Sequence, residues 1–312
     1  MSNGELTQID GRPIPEGGDE VRAFLITWND ALRLESALKH HRQLGVGRFF
    51  VADCGSTDGT LDLLAAAKDV HVFRATGDDS LAWLNTLLTT YGAGHWTLTV
   101  DVSELFVYPH CEDLELPLFC RYLAHVRAQA LACVSLDMYA ASPLGDAMHR
   151  PGAPLTGTCG YFDAAPYQLL RAEACPYFEI YGGLRERLMG AGRSPVLSRV
   201  PLVRWQNGMQ YLRGTGSITP VSIPNVMGAL LRFDFLSDFR ERVSGVPARL
   251  TSTEPATVEA DQPRPSRIRL AVTAPEASEP SSDRTSAPTS RAWPSTLLIL
   301  WLPVWFSSSR LK

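Results

Sequence analysis

No two of the six cysteines form a CxxC pair, and a chain of 312 residues is too long to need stapling. A zinc ribbon and a disulfide framework are therefore set aside, and reduced thiols in a cytosolic setting are expected. No basic run is interleaved with aromatics and the formal net charge is -4, so nothing attracts a nucleic-acid backbone. The opening stretch, Met1 to Glu20, has neither the basic nor the apolar region of a signal peptide. The strongest apolar run, Leu297 to Phe306, is roughly half the ~20 residues a membrane-spanning helix needs, and Pro303 interrupts it. Two readings stay open for it: a terminus without a role, or weak contact with the inner face of a membrane. No Walker lysine follows a glycine loop, and the Gly45-Val46-Gly47 and Gly190-Ala191-Gly192 fragments lack dinucleotide-loop spacing.

What is present is alternation. Val21 to Thr27 reads as a buried strand, and Asp30 to Leu44 as a helix stopped by Gly45. Arg48 to Asp53 is the next strand, a helix capped by Ser56 or Asp58 runs to Ala67, and Val70 to Arg74 is a third strand. A helix with Leu81, Leu84, Leu88 and Tyr91 on one face, a strand at His95 to Asp101, a helix around Phe119 and Leu123 and a strand at Ala132 to Tyr139 continue the series. The pattern predicts an α/β fold with a mostly parallel sheet covered by helices on both sides. From Ser142 to Gly216 it loosens into Pro- and Gly-rich loops that would shape an acceptor side, and Val226 to Phe239 reads as a last amphipathic element. The expected organisation is a flexible start (1–19), one folded domain (20–243), a disordered Ser/Thr/Pro-rich segment (244–292) and a short apolar tail (293–312).

Acidic residues gather where strands should end. Asn29-Asp30, Asp53 and Asp101 each close an apolar run, and the carboxyl ends of parallel strands face the ligand crevice. Asp53 to Thr60 also has a plain explanation, because Ser-Thr-Asp-Gly is turn and cap chemistry wherever a strand feeds a helix. His40 and His41 are adjacent on one helix and read as packing residues.

Several motifs in order then resemble one family. Lys39-His40-His41-Arg42, Asp53 to Thr60, Glu104-Leu105-Phe106-Val107-Tyr108-Pro109, Gly183-Leu184-Arg185, Pro201 to Trp205 and Gly228-Ala229-Leu230-Leu231 are similar to the family 2 glycosyltransferases of GT-A fold. The likeness is to the bacterial branch with a His-His-Arg helix and an Asp-x-Asp-Glu-Leu-Phe-Val-Tyr-Pro motif, and it spans residues 20 to 242. It implies a GT-A fold and transfer of a sugar from a UDP- or GDP-linked donor to a glycan or other hydroxyl acceptor. Asp53 would hold the base or ribose with Asp30 and Asn29 nearby, and Ser56 and Asp58 belong to the same loop. Asp101 would sit by the ribose and a metal-bound diphosphate.

Departures from the family pattern weigh as much. Ser103 stands where a second metal-binding carboxylate is expected, Arg232 where a His is expected, and Asp234 in place of a Lys. Mg²⁺ and Mn²⁺ prefer anionic oxygens, so a site of Asp101 and Ser103 binds them weakly. Expelling a nucleoside diphosphate requires positive charge at the leaving oxygen, which Arg232, Arg185 or Arg204 could supply through guanidinium forks. Asp163 and Glu104 are the candidate bases for the acceptor hydroxyl. If residues 101–104 are extended, Asp101 and Ser103 share a face and Glu104 points away. The alternative function is a degenerate relative that binds nucleotide-sugar without turnover.

Overall fold

The computed structural model describes residues 5–16, 18–190, 195–245 and 268–270. Most of the segment read as disordered, and the apolar tail, lie outside these. Among the described residues no helix is long and apolar enough to cross a membrane, and no disulfide joins any of the six cysteines.

The alternating half folds as its periodicity predicts. Strand β2 (Val21–Thr27) leads through helix α1 (Ala31–Leu44) to β3 (Val46–Asp53). Helix α2 (Thr60–Ala66) leads to β4 (Val70–Thr76), and α3 (Ser80–Tyr91) to β5 (Trp96–Thr99). Gly45 ends α1 in the left-handed conformation (φ 102°), its N–H reaching back to the carbonyls of His41 and Arg42, a closure that glycine adopts without strain. Asp79 caps α3 by accepting from the Ala82 N–H at 2.9 Å.

Before this series, β1 (Glu5–Gln8) pairs antiparallel with β4. Residues 5–12, read as part of a flexible start, are therefore not a free arm: Arg12 donates to the carbonyls of Ala65, Ala67 and Val70, tying this stretch to the α2–β4 connection. Beyond β5 come β6 (Glu104–Val107), α4 (Leu116–His125) and β7 (Ala130–Asp137). The stretch read as loops contains α5 (Leu155–Thr158), the hairpin β8 (Tyr167–Arg171) and β9 (Phe178–Gly182), α6 (Gly183–Met189) and β10 (Ser198–Arg204). Strand β10 is central rather than peripheral. Pro201 concealed it, because proline cannot donate to a ladder, and the pairing with β7 slips between Arg199 and Leu202 to accommodate it. The last amphipathic element is two elements: β11 (Gly228–Arg232) and, after an irregular turn, α7 (Phe239–Gly245). The described piece beyond, β12 (Ile268–Leu270), lies antiparallel to β8.

Nine strands make one sheet in the order β1-β4-β3-β2-β5-β10-β7-β11-β6. Strands β2, β3, β4, β5, β7 and β11 run one way, whereas β1, β10 and β6 are reversed. The fold is thus α/β with a mostly parallel sheet. Alternate side chains of β2 serve opposite faces: Ala23 and Leu25 join the core under α1 and α4, and Phe24 joins the core under α3.

The His-His pair is structural. His41 is fully buried, and its Nε2 accepts from the Phe106 N–H at 3.3 Å while Nδ1–H donates to the Ala37 carbonyl. His40 donates to the Phe106 carbonyl at 2.8 Å. Burial, and then the neighbouring His40, drive the pKa of His41 down to about 3, so it stays neutral. Both histidines thereby fix the middle of β6, the strand that Glu104 begins.

Candidate functional site

One edge of the sheet collects the polar chemistry. Asp53, Asp137 and Arg232 close β3, β7 and β11, and Asp101 follows β5 by two residues. Because β6 and β10 run in reverse, Glu104 and Arg199, at their beginnings, reach the same edge. Asp53 closes one neighbour of β2, and Asp101 follows the end of the other.

At the centre of this edge the side chains form one ion network. Arg232 donates to Glu104 Oε1 through Nη2 at 2.8 Å and Nε at 3.2 Å. Arg185, from α6, bridges Asp137 (2.9 and 3.0 Å) and Asp234 (2.8 Å). Arg232 Nε also stands 4.0 Å from Asp234. Asp234 is desolvated, which works against ionisation, but Arg232, Arg185 and Arg242 overcome this and hold its pKa down to about 2. Arg199 spends one nitrogen on the Val196 and Ser198 carbonyls, and desolvation, then repulsion from Arg232, lower its pKa to about 10.

Residues 101–104 are not extended. The Glu104 N–H returns to the Asp101 carbonyl at 2.9 Å, closing a tight turn, and Glu104 Oε2 accepts from the Asp101 N–H at 3.1 Å. The condition under which Glu104 would point away from the site is therefore not met, because the turn cancels strand alternation. The Asp101 carboxylate has no ion-pair partner among the described residues and remains in contact with solvent. Desolvation, then the charge of Glu104, push its pKa above the usual carboxylate range, and solvent contact limits the rise.

The donor set does not fit a hard divalent ion. Ser103 is buried with its hydroxyl directed to Asp234, Glu104 is committed to Arg232, and no group of three His, Cys, Asp or Glu among the described residues is arranged around a common point. Asp101 alone is a weak magnesium or manganese ligand.

Asn29, Asp30, Asp53, Ser56 and Asp58 form a second cluster that staples the β2–α1 loop to the β3–α2 loop. Asp53 is 0% exposed, and its carboxylate accepts from the Gly55 and Ser56 N–H groups. Asn29, with φ 52°, donates its N–H to Ser56 Oγ and accepts from the Thr57 N–H. Asp58 accepts from the Ala31 N–H and from Thr60, and the Thr60 hydroxyl accepts from the Asp30 N–H. Asp30 accepts from Thr27, Trp28 and, at 2.6 Å, Arg242 of α7. Turn and cap chemistry accounts for the geometry of this cluster.

Asp163 lies apart from the network, held by Arg187 at 2.8 Å and the Tyr139 hydroxyl at 2.7 Å. Burial works against its ionisation, but these donors lower its pKa and make it a weak base. Arg204 is on the opposite edge, beside Trp96 at the beginning of β5, because β10 is reversed. Asp137, Arg199 and Arg33 were missed. Arg33 is wholly buried and grips Asp238 with two 2.6 Å bonds while donating to the Phe233 carbonyl, which anchors the segment that carries Asp234. A charged residue inside the apolar face of α1 was the available signal, since arginine is seldom buried without a partner.

No protein-family model matches the chain, and no curated protein sequence matches it. Among solved structures, S. aureus TarS (residues 1–349) superposes with a TM-score of 0.31 and 14% identity over 40% of this chain and 37% of that one. A 4-diphosphocytidyl-2C-methyl-D-erythritol synthase gives 0.28 and 16% over 41% and 66%. A UDP-glucose pyrophosphorylase complexed with UDP-glucose gives 0.27 and 8% over 73% and 80%. The chain spans less than two thirds of the first two, and at these scores the superpositions carry no argument about its activity.

Proposed function

We propose that this chain is a glycosyltransferase-like protein that binds a nucleoside-diphosphate sugar in the crevice at the carboxyl edge of the sheet and moves the sugar to a hydroxyl acceptor. One observation carries the reading: Asp101, Glu104, Asp137 and Asp234 converge with Arg185, Arg199 and Arg232 at the edge where parallel strands present ligands. Each guanidinium has five N–H donors, and the hydrogen bonds of Arg185, Arg199 and Arg232 to the described residues engage only some of them, leaving donors for diphosphate oxygens. In the transfer, the bond from the anomeric carbon to the phosphate oxygen breaks with its electron pair on the diphosphate, and the acceptor oxygen bonds to that carbon. The acceptor proton passes to Asp101, the one carboxylate of these four without an ion-pair partner among the described residues, whose raised pKa suits a base. Fixed arginines meet the charge on the leaving group, a role a metal would otherwise fill.

The second reading, a binding module without turnover, is favoured by the same Glu104–Arg232 pair, which neutralises the cation expected to meet the diphosphate. Calorimetry with UDP, GDP and their hexose conjugates, in chelator and in Mn²⁺, tests the first reading. Binding that persists in chelator and falls at least about tenfold in Arg199→Gln is expected. Failure of every nucleotide to bind sinks both readings. Binding without consumption of any sugar donor in the presence of glycan acceptors leaves the second.

A further inference from the structure

Helix α6 serves two places. Arg185 enters the ion network, whereas Glu186 and Arg187 line a separate pocket of about 280 Å³, whose other walls are Asp163, Ala165, Pro166 and Gly183. Gly183 lines it with backbone alone, and with Gly182 it lets β9 turn into α6 close against Pro166 and Tyr167. Gly182 has φ 133° and Gly183 φ 67°; a Cβ on the first would collide with the Pro166 carbonyl oxygen, and one on the second would lie 2.9 Å from the Tyr167 hydroxyl.

The chemistry of the lining is specific. The charge of Arg187 is balanced by Asp163, which takes its Nε and Nη2 donors, while the Glu186 carboxylate has no hydrogen-bond or ion-pair partner among the described residues. The pocket thus carries one uncompensated negative charge and repels anions. Beside it the Tyr139 and Tyr161 rings stack at 6.4 Å, and the Arg187 guanidinium stands 5.7 Å from the Tyr139 ring centre. Tyr161 is 55% exposed and its neighbour Phe162 37%, aromatic surface reached from Asp163 through Tyr139. A pyranose matches both features: its C–H face lies against an aromatic ring, and its hydroxyls donate to carboxylate oxygens.

We propose that this pocket binds one neutral hexose unit of the acceptor glycan and that the open face of Tyr161 takes a neighbouring unit, an assignment that rests on the nucleotide-sugar reading of the adjoining crevice. Asp163 and Glu186 accept from hydroxyls of the first sugar, Arg187 donates to one of its oxygens, and Tyr161 supports the ring of the neighbouring one. Saturation-transfer-difference NMR on the full chain tests this, with maltotriose, cellotriose and chitotriose as neutral probes and trigalacturonate as the anionic one.

Transfer to the C–H protons of at least one neutral trisaccharide is expected, with a Kd on the order of 1 mM, and none to trigalacturonate. Tyr161→Ala and Glu186→Gln should each weaken binding about fivefold without changing the melting temperature or UDP affinity. No transfer from any neutral probe, a preference for trigalacturonate, or binding indifferent to both substitutions overturns the proposal. UDP titration of the same samples separates the failures. UDP bound without any trisaccharide removes this pocket alone, and a trisaccharide bound without nucleotide removes the crevice reading.

Discussion

Glu104 and Arg232 stand directly opposite each other across the antiparallel β6–β11 ladder, joined at 2.8 Å and both nearly closed to solvent. Ser103 and Asp234 flank the pair in sequence, one residue before Glu104 and two residues after Arg232.

Breaking this pair strands a buried charge. Arg232→Ala is expected to cost about 3–5 kcal/mol, and Glu104→Leu combined with Arg232→Met to cost far less, since removal of both charges abolishes the desolvation penalty. Urea denaturation of the two variants checks the difference. Equal loss in both would show that the pair contributes little beyond its volume.

Restoring the second carboxylate at 103 should not be benign. Ser103 is buried against Asp234, so Ser103→Asp sets two carboxylates side by side and is expected to lower stability by about 1–3 kcal/mol in chelator. Mn²⁺ should then raise its melting temperature more than it raises that of the native chain. A melting temperature unchanged in chelator would contradict the burial of this position.

Acid should destabilise the fold before its carboxylates protonate. His40, His41, His71, His95 and His149 all have lowered pKa values, desolvation being the largest cause in each. A depressed histidine binds fewer protons folded than unfolded, so its contribution is complete above the unfolded pKa of 6.5 and is lost as pH falls. For His41 the window runs from 6.5 down to about 3, at about 1.4 kcal/mol per pH unit once well below 6.5. Unfolding free energies between pH 8 and 5 should show this slope, reduced in His41→Gln. A flat profile would mean that His41 is accessible to protons.

Strong local periodicity made half of the fold legible. Val21 to Thr27 matches β2 residue for residue, because a buried parallel strand is an unbroken apolar run and the helix after it repeats every three or four residues. Strand β10 was hidden because Pro201 suppressed its strand signal, and Glu5 to Gln8 because a short polar edge strand has no periodicity to read.

From the sequence alone came the α/β alternation, the strand-end placement of Asp53 and Asp101, and the substitutions at 103, 232 and 234. Those are properties of neighbours along the chain. Tertiary structure alone decided which of these charges meet. Asp53 turns inward to its own loop, Glu104 swings onto Arg232 through a four-residue turn, and Asp137, Arg185 and Asp234 lock together from distant segments. The physical reason is the reversal of β6 and β10, which carries the first residues of two strands to the edge where the others end; strand direction within a sheet is set by long-range pairing, which no local pattern encodes.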